Sequence, residues 1–210
     1  MQLFIETIRV FEGKLENIAY HNARLRHTRQ EKLGRNDDWL LEDIIQMPAH
    51  LLENQVYKCR VTYGEQIEKI EFEAYAVRPV QSLQLVNAED LDYAAKYADR
   101  SALNVLTQQS QTDDILIVRN GCISDTSYTN VAFFDGNTWL TPSTSLLRGT
   151  RRAQLLNEGI IQETIIQPAD LLRFTKTKLI NAMMTWEESP NPSVIKDQLG
   201  NIIWKEKPFH

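Results

Sequence analysis

The sequence predicts an α+β fold in two parts: a small N-terminal α/β sandwich domain over residues 1–78 and a larger, mixed barrel-like domain over 79–210. Three observations carry this reading. A helical stretch follows the first strand. Two alternating runs meet at Gly64-Glu65-Gln66 in the manner of a hairpin. Beyond residue 80 the chain breaks into short strands punctuated by turn residues, the spacing of a barrel or sandwich.

Residues 3–11 alternate as a strand and close at Glu12-Gly13-Lys14. Over 18–33 the period becomes helical, with Ile18, Leu25 and Leu33 on one face and charge elsewhere. Asp37 and Asp38 are placed to cap a second helix running to Met47. Residues 56–63 and 67–75 form the hairpin. After Arg78-Pro79 come a strand at 83–86 and a helix at 101–107. Strands at 115–118, 129–134 and 139–141 follow, separated by Asn120-Gly121 and Asp135-Gly136-Asn137. A helix over 150–157 opens directly after Gly149, and strands at 160–166, 179–183 and 202–204 complete the sheet, with Pro190-Asn191-Pro192 marking a loop.

Apolar residues make up 42% of the chain and charged residues 24%, which is the balance of a globular protein. A net charge of -5 with no dense Lys/Arg patch gives no electrostatic case for nucleic acid or anionic lipid. Apolar runs such as Ile115-Leu116-Ile117-Val118 are far short of a membrane span, and the N-terminus lacks the basic start and apolar stretch of a signal peptide. Cys59 and Cys122 read as reduced structural thiols of a cytoplasmic protein. His21, His27, His50 and His210 show no zinc-type clustering, so no metal is expected.

Three places could carry chemistry. Leu147-Arg148-Gly149-Thr150-Arg151-Arg152 lies at a loop-to-helix junction, where backbone N–H groups, a hydroxyl and guanidiniums can cradle phosphate; taken alone, Gly-Thr before a basic helix is more often just a cap. From Asn120 to Val131 a tight turn leads into a strand bearing Asp125, then hydroxyls, then Asn130. Such an acid can pair with a protonated pyridine nitrogen or simply cap a turn. Lys96, set among Tyr93, Ala94, Ala95, Tyr97 and Ala98, is a nucleophile if desolvated and a snorkelling surface lysine if not.

Taken together in order, these pieces resemble the class IV aminotransferases, the fold-type IV pyridoxal-phosphate enzymes, a group that includes 4-amino-4-deoxychorismate lyase. Phe4-Ile5-Glu6-Thr7-Ile8-Arg9 is similar to the family's opening strand, and His21-Asn22-Ala23-Arg24-Leu25 to its H-x-x-R-L helix. Lys96 with Arg100 resembles the cofactor-bonding lysine in its lyase context. Gly121-Cys122-Ile123-Ser124-Asp125 with Asn130 resembles G-x-V-x-E followed by N. Thr141-Pro142 and Gly149-Thr150-Arg151-Arg152 resemble the phosphate turn, and Asn181-Ala182-Met183-Met184 the N-A-L-M strand end of lyase members. The chain departs from the pattern in beginning almost at the first of these strands, which would reshape substrate entry, and in carrying Asp125 where Glu is usual.

The resemblance implies pyridoxal 5'-phosphate as cofactor, with its phosphate on Arg24, Thr150 and Arg151, helped by the Ala182 backbone. Asp125 would sit at the ring nitrogen with Asn130 in support. Lys96 would form the Schiff base and then act as general base. Arg60 or Arg9 could take a substrate carboxylate. A homodimer is implied. The substrate is a small amino compound: the preferred reaction is 4-amino-4-deoxychorismate lyase in folate precursor synthesis. The alternatives are a branched-chain or D-amino acid aminotransferase, or a cofactor-free binding module.

Overall fold

Every residue of the first long strand except its last is buried, on both faces of the sheet. The computed structural model describes residues 2–207. The chain divides into two compact units. The first comprises Met1–Val77, Ala95–Asp99 and Ala182–Thr185; the second comprises Arg78–Ala94, Arg100–Asn181 and Trp186–His210.

In the first unit, β1 (Phe4–Phe11), β2 (Lys14–Leu15), β3 (Tyr57–Tyr63) and β4 (Ile67–Ala74) form an antiparallel sheet in the order β2-β1-β3-β4. Phe4, Ile8, Val10, Cys59, Val61 and Tyr63 alternate onto one face, which α1 (Ile18–Leu33) covers. The helix runs where its sequence period placed it, ending at Gly34 with φ 64°. Its buried face is His21, Asn22, Leu25, Thr28 and Arg29, however, with Ile18 and Leu33 only half-buried. The apolar positions therefore misidentified most of the face, because each buried polar group here has a partner that offsets its desolvation. Arg29 is the clearest case. It bonds both oxygens of Asp37, donates to the Gly64 carbonyl at 2.6 Å, and lies 3.4 Å from the Trp39 ring centroid.

The second helix is much shorter than expected: α2 spans Leu41–Ile44 and starts from Leu40. Asp37 and Asp38 do not cap it, since their carboxylates pair with Arg29 and Arg26. Asn22 Oδ1 instead accepts from the Leu41 N–H at 3.0 Å.

The second unit holds β5 (Ser82–Asn87), α3 (Ser101–Gln108), β6 (Asp114–Arg119), β7 (Cys122–Thr126), β8 (Asn130–Phe134), β9 (Trp139–Pro142), α4 (Thr150–Asn157), β10 (Ile161–Thr164), a 3-10 turn at Pro168–Arg173, β11 (Lys176–Ile180), β12 (Val194–Lys196) and β13 (Ile202–Lys205). A five-stranded sheet runs β13-β12-β5-β6-β7, with β12, β5 and β6 parallel; a four-stranded sheet runs β10-β9-β8-β11. Leu83, Leu85, Leu116, Val118, Ile123 and Ile195 of the first sheet share one buried core with Val131, Phe133 and Leu179 of the second. Two mixed sheets around one core give the barrel-like arrangement anticipated. On the outside of the four-stranded sheet, Leu155 of α4 packs with Ala132, Ile161 and Ile180. Among the described residues, no helix is long and apolar enough to cross a membrane, and no group of three or more His, Cys, Asp or Glu could hold a metal ion. His210 lies outside the described residues.

Candidate active site

In the first unit the site is built on β1. Ile5 N donates to the Lys96 carbonyl and Ala98 N to the Leu3 carbonyl, each at 2.9 Å. Residues 95–99 thus run along β1 as an added antiparallel edge, with Tyr97 opposite Phe4 and its ring 5.5 Å from the Phe4 ring. No hydrophobic period marks this segment. Its backbone bonds and Tyr97 fix Lys96, which is half-buried.

Glu6, in the middle of β1, is fully buried. Arg24 reaches down from α1 and binds it side-on, Nε to Oε1 at 2.9 Å and Nη2 to Oε2 at 2.6 Å. His21, one helical turn earlier, places Nδ1 2.5 Å from Oε2. Burial alone would raise the Glu6 pKa, but the Arg24 charge and the bond from His21 outweigh it and bring it down to about 2. The His21 pKa is lowered, chiefly by burial, with the Arg24 and Lys96 charges adding to it and Glu6 opposing. A neutral ring beside an ionised carboxylate carries its proton on Nδ1 and donates it to Glu6. Glu6 and His21 appeared in the sequence only as motif letters without a role. The available signal was a carboxylate in a strand that is otherwise a good core strand, which requires a partner.

Arg60 lies on β3 between Thr7 and Glu71. Alternation puts it on the sheet face away from α1, half-buried, with Nε out of solvent and not hydrogen-bonded.

The second unit presents the acid. A turn closed by Thr126 and Thr129, whose hydroxyls lie 2.7 Å apart, joins β7 to β8. Asp125 and Asn130 flank it, so Asn130 Nδ2 donates to Asp125 Oδ1 at 2.8 Å and also to the Leu147 carbonyl at 3.0 Å. Leu147 N donates to Asp125 Oδ2 at 2.9 Å. Ser124 and Thr144 fasten the same loop, through Ser124 Oγ to the Thr144 carbonyl and Thr144 Oγ1 to the Ile123 carbonyl. Arg100 opens α3 and donates to the Ser127 carbonyl at 2.7 Å, steadying the turn from outside. The loop then delivers Gly149, Thr150 and Arg151 to the start of α4. No side chain caps that helix. Thr150 is buried, and Arg151 Nε is buried without a hydrogen-bond partner while Nη1 donates to Gln154 at 2.6 Å. Arg152, by contrast, is held structurally by the Pro142 carbonyl and Glu163.

These donor sets fit pyridoxal phosphate. Burial pushes the Asp125 carboxyl up to about 6, against the bonds from Leu147 and Asn130, so its ionised form lacks a full counter-charge that a pyridinium supplies. The uncapped α4 N-terminus and the unpaired Arg151 Nε suit an anion. Of the residues anticipated, the first unit gathers Lys96 and Arg24 around β1, and the second gathers Asp125, Asn130, Thr150 and Arg151 around one loop.

Residues 3–187 match the family model for amino-transferase class IV. The chain belongs to this family of pyridoxal-phosphate-dependent enzymes. An uncharacterized protein of Haemophilus influenzae is 37% identical over 186 residues, covering 87% of this chain and 98% of that protein. A structure from Haemophilus somnus, provisionally described as a 4-amino-4-deoxychorismate lyase, superimposes with a TM-score of 0.80 at 29% identity, covering 87% of this chain and 97% of its own. A hypothetical aminotransferase of Mycobacterium tuberculosis in its PLP-bound form shares the fold, with a TM-score of 0.73 at 15% identity over 98% of this chain and 84% of its own. The class IV fold is thus a mixed α/β one in which sheets dominate, as the sequence led us to expect.

Proposed function

We propose that this class IV enzyme is a lyase that converts 4-amino-4-deoxychorismate to 4-aminobenzoate and pyruvate, a folate precursor step. The observation that carries the reading is the likeness, across nearly its whole length, to the Haemophilus somnus protein of that provisional description. The Lys96 and Arg100 pair and Asn181-Ala182-Met183-Met184 agree with it.

Bound pyridoxal phosphate supplies an electron sink for the substrate carbon that loses a proton. Lys96 would hold the cofactor, and its Nζ would take the α-proton of the substrate. Asp125 would hold the proton of the cofactor's ring nitrogen, and Asn130 keeps Asp125 aimed. By the family resemblance Arg24, Thr150 and Arg151 would each contribute to phosphate binding, and Arg60 is the candidate for a substrate carboxylate. After the shared proton abstraction, a lyase lets pyruvate leave as the substrate ring becomes aromatic. An aminotransferase must instead return the proton and admit a second, keto-acid substrate. The family resemblance implies a homodimer, and two free thiols, Cys59 and Cys122, suit a cytoplasmic enzyme.

The test gives purified enzyme 4-amino-4-deoxychorismate and follows 4-aminobenzoate and pyruvate, in parallel with leucine or D-alanine plus 2-oxoglutarate. Aromatic product is expected. Rapid amino transfer without it assigns the enzyme to the branched-chain or D-amino acid aminotransferases.

A further inference from the structure

We infer that Glu6 is a positioning residue that fixes the Arg24 guanidinium in the orientation needed to bind the cofactor phosphate, and that His21 in turn fixes Glu6. This rests on the reading of Arg24 as a phosphate ligand.

The Glu6 carboxylate receives three donors: Arg24 Nε on Oε1, and Arg24 Nη2 and His21 Nδ1 on Oε2. Held at both oxygens, it cannot rotate. The side-on pair occupies the Nε–Nη2 edge of Arg24 and sets the plane of the guanidinium, so the direction of the Nη1 edge is set as well. The Glu6 and His21 side chains are completely buried and that of Arg24 is 9% exposed, so solvent scarcely competes for these bonds. A free Arg side chain carries substantial rotamer entropy. Here that freedom is already lost on folding, and phosphate binding need not remove it.

Glu6 has a second, opposing effect, because its charge cancels that of Arg24 and weakens the pull on a phosphate dianion. Replacing Glu6 by Gln keeps the side-chain length, loosens the orientation and removes the cancelling charge. The sign of the change in affinity therefore says which effect is larger.

The experiment measures dissociation constants of pyridoxal phosphate and of unphosphorylated pyridoxal for the apoenzyme and its Glu6→Gln, Arg24→Gln and doubly substituted forms. Pyridoxal, which lacks the phosphate, is the internal control for folding. Glu6→Gln is expected to weaken pyridoxal phosphate about tenfold, the scale seen when the outer partner of a ligating side chain is lost, and to leave pyridoxal unchanged. The double substitution should lose no more than Arg24→Gln alone. If Glu6→Gln weakens both ligands equally, changes neither, or tightens pyridoxal phosphate, the inference is overturned. If Arg24→Gln itself leaves the ratio of the two constants unchanged, the phosphate reading of Arg24 is lost and the inference with it. Should Glu6→Gln not fold, Glu6→Asp, whose carboxylate is set back from Arg24 by one methylene, is read against the same outcomes.

Discussion

A Cβ on residue 149 would lie 2.0 Å from Asn130 Oδ1. The glycine has an ordinary φ of -64°, so its requirement is space and not backbone conformation. Gly149→Ala must displace the Asn130 amide and break its bonds to Asp125 and Leu147. The expected cost is about 1–3 kcal/mol, the range for overpacking, read as a lower midpoint in urea. Asn130→Ala in the same chain relieves the overlap, so the doubly substituted protein should recover part of the loss from Gly149→Ala.

Asp125 gives the apoprotein an unusual pH dependence. A carboxyl whose pKa rises from 3.8 to about 6 on folding binds its proton more tightly folded than unfolded. The burden of the buried charge is absent below pH 3.8, grows through pH 6 and reaches about 3 kcal/mol above it. Apoprotein melting temperature should show this as a fall between pH 4 and pH 6.5. The slope should flatten in Asp125→Asn, whatever that change does to absolute stability, and also when pyridoxal phosphate is bound.

Glu6 acts with the opposite sign. Its pKa falls from 4.5 to about 2, so its contribution of about 3 kcal/mol is complete above pH 4.5 and is lost as the pH drops through 2. Acid unfolding followed by circular dichroism should be steep over that interval in the native protein and shallower in Glu6→Gln.

Arg29 ties the end of α1 to the following loop and to the β3–β4 turn. Lysine cannot reproduce its fork or its stacking on Trp39. Arg29→Lys should cost about 2–3 kcal/mol, below the figure for a wholly buried pair since Asp37 is 42% exposed, and urea midpoints measure it. Turnover per folded molecule should be unaffected.

Lys96→Ala should fold and lose turnover almost entirely, because no other base is proposed for the α-proton. Borohydride treatment of the loaded native enzyme, followed by peptide mass mapping, should find the cofactor on Lys96. Label on another lysine would refute the assignment.

Much of this was legible in the chain because local pattern and tertiary demand agree: α1, the β3–β4 hairpin and α4 fall where period and turn residues put them. The failures share one cause, a distant partner. Asp37 and Asp38 look like helix caps, but an arginine eight residues before the first and another twelve before the second take them. Lys176 and Lys178 hid the start of β11, which was expected at 179; Lys178 is buried with Nζ on the Trp186 carbonyl at 2.7 Å. β12 is three residues long and owes its place to parallel pairing with β5, more than a hundred residues earlier. In the site, the family resemblance pointed to Asp125 and its amide Asn130, whereas Glu6 offered only the weaker signal of a carboxylate within a core strand, which does not name its partner.

The edge of β1 opposite β3 is shared by β2 at Val10 and Phe11 and by the Lys96 segment at residues 3–5. The segment that carries Lys96 is therefore also what shields an apolar strand from neighbouring chains. A product cut or truncated before residue 95 bares that edge, and bare apolar edges invite intermolecular pairing. Inactive chains of this kind should be lost to aggregation and proteolysis instead of accumulating as soluble competitors for the cofactor.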